Sequence, residues 1–115
     1  MKILVVDDEQ LARERLLRLL SRIRPDAQCL QASDGAEALA TVAAEQPDLL
    51  LLDIRMPGMG GMALLKRIQS LDPSLPVILI TGHGDVSMAV EAMRAGAYDF
   101  IEKPIDTERL MDAVE

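Results

Sequence analysis

The stretch Leu49-Leu50-Leu51-Leu52-Asp53 decides the fold. Its leucines carry no polar alternation, so neither face of the segment is built for water. Such a run reads as a strand buried on both sides, as in a parallel sheet with helices above and below. Moving outward, Ile3-Leu4-Val5-Val6 and Val77-Ile78-Leu79-Ile80 have the same character. Gln28–Ala32 and Tyr98–Glu102 are two weaker candidates.

The segments between these runs have a helical period. Ala12, Leu16, Leu19, Leu20 and Ile23 fall on one helical face, with Glu14 and Arg18 as an i,i+4 pair on the other. Gly35–Glu45 is rich in Ala and Glu, and Ser33 or Asp34 is placed to cap it. Gly61–Leu71 groups Leu64, Leu65, Ile68 and Leu71. Asp85–Ala95 groups Val86, Ala89, Val90 and Met93, with Asp85 or Ser87 near its start and Gly96 as its stop. A last helix opens at Asp106 or Thr107 and is cut at Glu115, which suggests truncation from a longer protein. Pro25, Pro47, Pro57, Pro73, Pro76 and Pro104 fall in the gaps. Five strand–helix units with short connections predict an α/β three-layer sandwich with right-handed crossovers.

Composition narrows the function classes. The 115 residues make one domain, and 50% hydrophobic with 27% charged residues argue against disorder. No apolar run reaches the roughly 18 residues of a membrane span, and no leader pattern shows at the N-terminus. Cys29, the single cysteine, leaves no internal disulfide and no cysteine-built metal site, which suits a reducing, cytoplasmic setting. A net charge of −7 argues against direct grip on a phosphate backbone. One Tyr, one Phe and no Trp leave no stacking platform for single-stranded nucleic acid.

Ligands of an open parallel sheet bind beyond the C-terminal ends of its strands. There the sequence places Asp7, Asp8 and Glu9, then Asp53, then Thr81 and Gly82, then Lys103 before Pro104. Carboxylates crowded at one edge repel one another, and a bound cation removes that cost. Oxygen donors without Cys or His select a hard ion, Mg²⁺ before Zn²⁺. Asp7, Asp8 and Asp53 are therefore candidate ligands, with the backbone carbonyl of Arg55 as a further one. Lys103 and the Thr81 hydroxyl are what a phosphoryl group would want, a cation and a neutral donor. A carboxylate beside Mg²⁺ can itself attack phosphorus, and Asp53, ending the central strand, is the candidate nucleophile.

Val5-Val6-Asp7-Asp8-Glu9, Leu51-Leu52-Asp53-Ile54-Arg55-Met56-Pro57-Gly58, Ile80-Thr81-Gly82 and Glu102-Lys103-Pro104 together resemble the receiver domains of two-component response regulators, over essentially the whole chain, residues 1–115. The resemblance implies a flavodoxin-like (CheY-like) fold with five parallel strands in the order 2-1-3-4-5 and five helices. It implies that a sensor histidine kinase or phosphotransfer domain phosphorylates Asp53 with Mg²⁺. Thr81 and Lys103 would contact the phosphoryl group, the Lys103–Pro104 peptide would be cis, and Phe100 would be a switch aromatic working with Thr81. Homodimerisation on phosphorylation, or release of an output domain, through the face of helix 4, strand 5 and helix 5, belongs to the same implication. DNA would be reached only through an output domain absent from the chain, and no membrane is involved. Thr81 to Pro104 is similar to receivers of nitrogen-fixation and dicarboxylate-transport regulators, whereas Asp8 to Leu16 looks more like regulators with a LytTR-type output.

Each residue also has a plainer reading. Asp7 and Asp8 can open a helix as first-turn acids. Thr81 can be a strand-end hydroxyl, Lys103 a solvated lysine and Phe100 ordinary core. His83 can be a surface loop residue or, by resemblance, a tuner of dephosphorylation. Arg13, Arg15, Arg18, Arg22 and Arg24 form either a solvated face of helix 1 or a kinase-docking surface. Cys29 reads as a small apolar core residue. Gly58-Met59-Gly60-Gly61 reads as a loop that lets the site open. Two other functions compete: a Mg²⁺-dependent phosphohydrolase of haloacid-dehalogenase type, and a pseudo-receiver that only binds protein. The first needs a second aspartate two positions after the nucleophile, where this chain has Arg55.

Overall fold

The computed structural model describes residues 1–55, 60–82 and 84–114. In chain order the elements are β1 (Lys2–Val6), α1 (Gln10–Ile23), β2 (Gln28–Ala32), α2 (Gly35–Glu45), β3 (Leu49–Asp53), α3 (Gly61–Leu71), β4 (Val77–Thr81), α4 (Val86–Arg94), β5 (Asp99–Glu102) and α5 (Thr107–Val114). The strands form one parallel sheet in the order β2-β1-β3-β4-β5, the order the resemblance implies.

The unbroken apolar runs have the predicted cause. Every residue of β3 and β4 is buried. Successive side chains go to opposite faces of a strand, and two cores result. Leu4, Val6, Leu50, Leu52 and Leu79 meet Val42 of α2, Leu64, Leu65 and Ile68 of α3 and Ala92 of α4. Ile3, Val5, Leu49, Leu51, Ile78, Ile80 and Ile101 meet Leu16 and Leu20 of α1 and Leu110 and Ala113 of α5. Cys29 is half-buried against this second core, and burial raises its thiol pKa.

Two of the expected helix ends follow local chemistry and a third does not. Asp34 caps α2 by accepting the Glu37 N–H at 2.8 Å. Gly96 ends α4 at φ +112°, with Ala97 N–H bonded back to Ala92 O at 3.0 Å. Asp85, expected near the start of the fourth helix, makes no cap with its side chain; its carboxylate is engaged elsewhere. Arg13 leaves the expected basic face of α1, donating to Asp7 O at 2.9 Å and to Gln31 Oε1 at 3.1 Å. Arg24 pairs with Asp26 at 3.3 Å.

Candidate functional site

Register builds the site. Val6 stands opposite Leu52, so Asp7 and Asp53 leave neighbouring strands at the same height. Thr81 ends β4, and Lys103 follows β5. The Lys103 N–H donates to Thr81 O at 2.8 Å, which staples these two strand ends together, and the Lys103–Pro104 peptide is cis.

One carboxylate oxygen from each of Asp7, Asp8 and Asp53 lies within 4.8 Å of the other two. Asp7 and Asp53 are buried and Asp8 is exposed. Both buried acids use the same local device, a carboxylate oxygen accepting the N–H two residues on. Asp7 Oδ1 takes Glu9 N–H at 2.9 Å, and Asp53 Oδ1 takes Arg55 N–H at 3.0 Å. One oxygen of Asp53 is thereby anchored; the other, Oδ2, stands 3.7 Å from Lys103 Nζ. Burial pushes the Asp7 pKa above its ordinary value and the charge of Asp53 adds to the rise, against the Glu9 hydrogen bond and Lys103. A crowded, partly buried set of oxygen donors fits a hard divalent cation, which would neutralise the charge that burial penalises.

Thr81 is buried, and its hydroxyl donates to Ile101 O at 3.4 Å. That is long for an O–H···O bond, so this contact holds the hydroxyl only weakly. Phe100, half-buried, packs on the core shared by α2, α3 and α4. Its main chain is pinned from the other side, because Arg109 of α5 donates to Phe100 O at 2.5 Å and to Asp99 Oδ1 at 3.0 Å. Side chain and backbone are therefore held by different elements. A groove of about 570 Å³ beside Lys103 is lined by Leu11, Ala12 and Arg15 of α1 together with Pro104 and Ile105.

Arg55 was expected to offer only its carbonyl. Its side chain reaches across to the β4–α4 turn, where Nε lies 2.8 Å from both carboxylate oxygens of Asp85 and Nη2 also bonds Oδ1. Asp85 is 3% exposed, and its Oδ2 also accepts the Gly82 N–H at 3.1 Å. The guanidinium holds the Asp85 carboxyl below the usual range, assisted by Gly82, and Asp85 in turn raises the Arg55 pKa. Sequence reasoning missed this pair. The available signal was a cation just past one strand and an acid just past the strand that lies beside it. Met56, Pro57, Gly58, Met59 and His83, which carried part of the loop and dephosphorylation readings, lie outside the described residues.

A profile described as response regulator receiver domain matches residues 3–115. The chain is 45% identical over 114 residues to the C4-dicarboxylate transport transcriptional regulatory protein DctD of Pseudomonas aeruginosa, covering 98% of this chain and 24% of DctD. It is 45% identical over 111 residues to the DNA-binding transcriptional regulator NtrC of Escherichia coli K12, covering 96% of this chain and 23% of NtrC. The chain thus spans about a quarter of the length of these two regulators. Among solved structures, it superimposes on the receiver domain of NtrX from Brucella abortus with a TM-score of 0.92 at 43% identity, covering 97% of this chain and 93% of that one.

Proposed function

This chain belongs to the response regulator receiver domain family of two-component signalling, and on that premise we propose that it is a phosphorylation switch whose acceptor is Asp53. The observation that carries the reading is the convergence of three carboxylates, a lysine and a buried threonine hydroxyl on one sheet edge. Asp7, Asp8 and Asp53, with the Arg55 carbonyl, would hold Mg²⁺, which when bound supplies positive charge against the incoming phosphoryl oxygens.

The Asp53 oxygen that faces Lys103 attacks the phosphorus of a phosphohistidine. An O–P bond forms, the P–N bond breaks, and its electron pair stays on the imidazole nitrogen, which takes up a proton. Lys103 and the Thr81 hydroxyl turn toward the new negative charge. Thr81 loses only a long hydrogen bond in doing so, and Phe100 turns into the space it leaves. The face made by α4, β5 and α5 then shifts in population between two states. Autodephosphorylation uses the same groups with water as the acceptor.

The donor is a sensor histidine kinase or a phosphotransfer domain. The groove beside Lys103 supports an approach along α1, because it carries the exposed Leu11 and Arg15 next to the acceptor. Residues 1–115 lie within the receiver, and control of transcription would run through an output domain. We place this domain in the cytoplasm, the reducing setting that its single cysteine suits.

Intact mass after incubation with acetyl phosphate tests the reading. Wild type gains one phosphoryl group only with Mg²⁺, and Asp53→Asn gains none. Label that persists in the variant overturns the assignment of Asp53. Steady turnover of small phosphate esters would favour the phosphohydrolase reading, and no label from any donor the pseudo-receiver.

A further inference from the structure

The Asp85 carboxylate is nearly inaccessible, yet nothing in the proposed chemistry uses it. It has three donors, two on the Arg55 guanidinium and one on the Gly82 amide. Both residues border the acceptor. Arg55 donates its own N–H to Asp53, and Gly82 follows Thr81. The Arg55 side chain is 68% exposed against 2% for Asp85, so the cation is open to an incoming group while the acid is enclosed.

We propose that Asp85 is an internal anion that occupies, in the unphosphorylated state, donors that a phosphoryl group on Asp53 would recruit. The inference rests on Asp53 being the acceptor. A phosphoryl group there puts fresh negative charge beside the loop that carries Arg55 and the turn that carries Gly82. Guanidinium and backbone amides are the donors phosphoryl oxygens bind best. Each donor that changes partner leaves Asp85 with one fewer. The Asp85 carbonyl accepts the Ala89 N–H at 3.1 Å in the first turn of α4, so loosening Asp85 loosens the start of that helix. Asp85 is thus a positioning residue that sets the cost of phosphorylation and links the acceptor to α4.

Titration with beryllofluoride at fixed Mg²⁺ tests this, beside thermal unfolding of each variant without Mg²⁺. Asp85→Asn keeps the shape and an acceptor for Gly82 but removes the charge. It is expected to bind beryllofluoride about tenfold more tightly, within the usual range for coupled sites. In an Arg55→Met background the same change is expected to gain much less, because the competed donor is gone. Asp85→Ser provides the same comparison if the Asn variant unfolds. Equal or weaker binding by the Asp85 variants overturns the inference while leaving the receiver reading intact. A gain of the same size with and without Arg55 also overturns it, by removing the guanidinium from the route. Absence of binding in wild type removes the receiver reading and this inference together.

Discussion

At Asp7 stability and the proposed metal-holding role pull in opposite directions. Its carboxylate shares a crowded edge with Asp8 and Asp53, and burial raises its pKa, so the ionised form costs the metal-free protein stability. Replacement by Asn keeps an oxygen for the Glu9 N–H and removes the charge. Asp7→Asn is therefore expected to melt a few degrees higher than wild type in the presence of a chelator, a gain of about 1 kcal/mol or less. Added Mg²⁺ is expected to raise the melting temperature of wild type and to leave the variant nearly unmoved. A variant that melts lower than wild type without metal would show that the acids do not repel as placed. The acids themselves were legible one at a time, because Asp7 and Asp53 are each the first polar residue after an apolar run and Asp8 directly follows Asp7. Arg55 and Asp85 were not legible in this way. Their contact joins loops 30 residues apart, and each has an adequate local explanation, Asp85 as a helix opener and Arg55 as a turn residue.

Elements were read from periodicity, and their ends follow rules that periodicity does not carry. The third helix begins at Gly61, as its apolar spacing predicts, but the spacing says nothing of why a glycine stands there. The structure supplies the reason. A Cβ at Gly61 would lie 2.4 Å from Ile54 O and 2.5 Å from Ile54 Cα, atoms of the backbone just past β3. The Gly61 N–H donates to that same carbonyl at 3.1 Å. Neither partner can step aside as a flexible side chain would. Gly61→Ala is therefore expected to lose about 1–3 kcal/mol in chemical denaturation, the usual cost of overpacking. Its neighbour Gly60, at φ +79° with nothing among the described residues within 4 Å of where a Cβ would sit, offers an internal comparison. There Ala meets the penalty of a backbone region essentially reserved for glycine (φ +79°, ψ 155°), about 1–3 kcal/mol. A Gly61→Ala protein as stable as wild type would mean that the loop after β3 can move away from α3. The approach is between backbones, so no pattern of side chains announces it.

Across the whole molecule, the two cores lie on the faces of the sheet and the acids lie at its edge, which is why fold and site could be read separately. Apolar runs predicted the layers, whereas the order of the strands was implied by the resemblance alone, because periodicity is blind to which strands are neighbours. The edge strand β5 ends the sheet, with α4 and α5 packed against it. This end exposes Val90, Met93, Tyr98 and Met111. If phosphorylation drives association there, the apolar side chains supply the attraction and the charge opposes it, since each copy carries −7. Light scattering with Mg²⁺ and beryllofluoride is then expected to show a mass moving from 12.6 kDa toward twice that value. Added salt is expected to strengthen the association by screening the repulsion, and Tyr98→Glu to abolish it without altering beryllofluoride binding. An interface held chiefly by ion pairs would show the reverse, weakening as salt is added. Association that survives Tyr98→Glu would place the contact on another face, and the apolar end of the sheet would then be left for an output domain to cover.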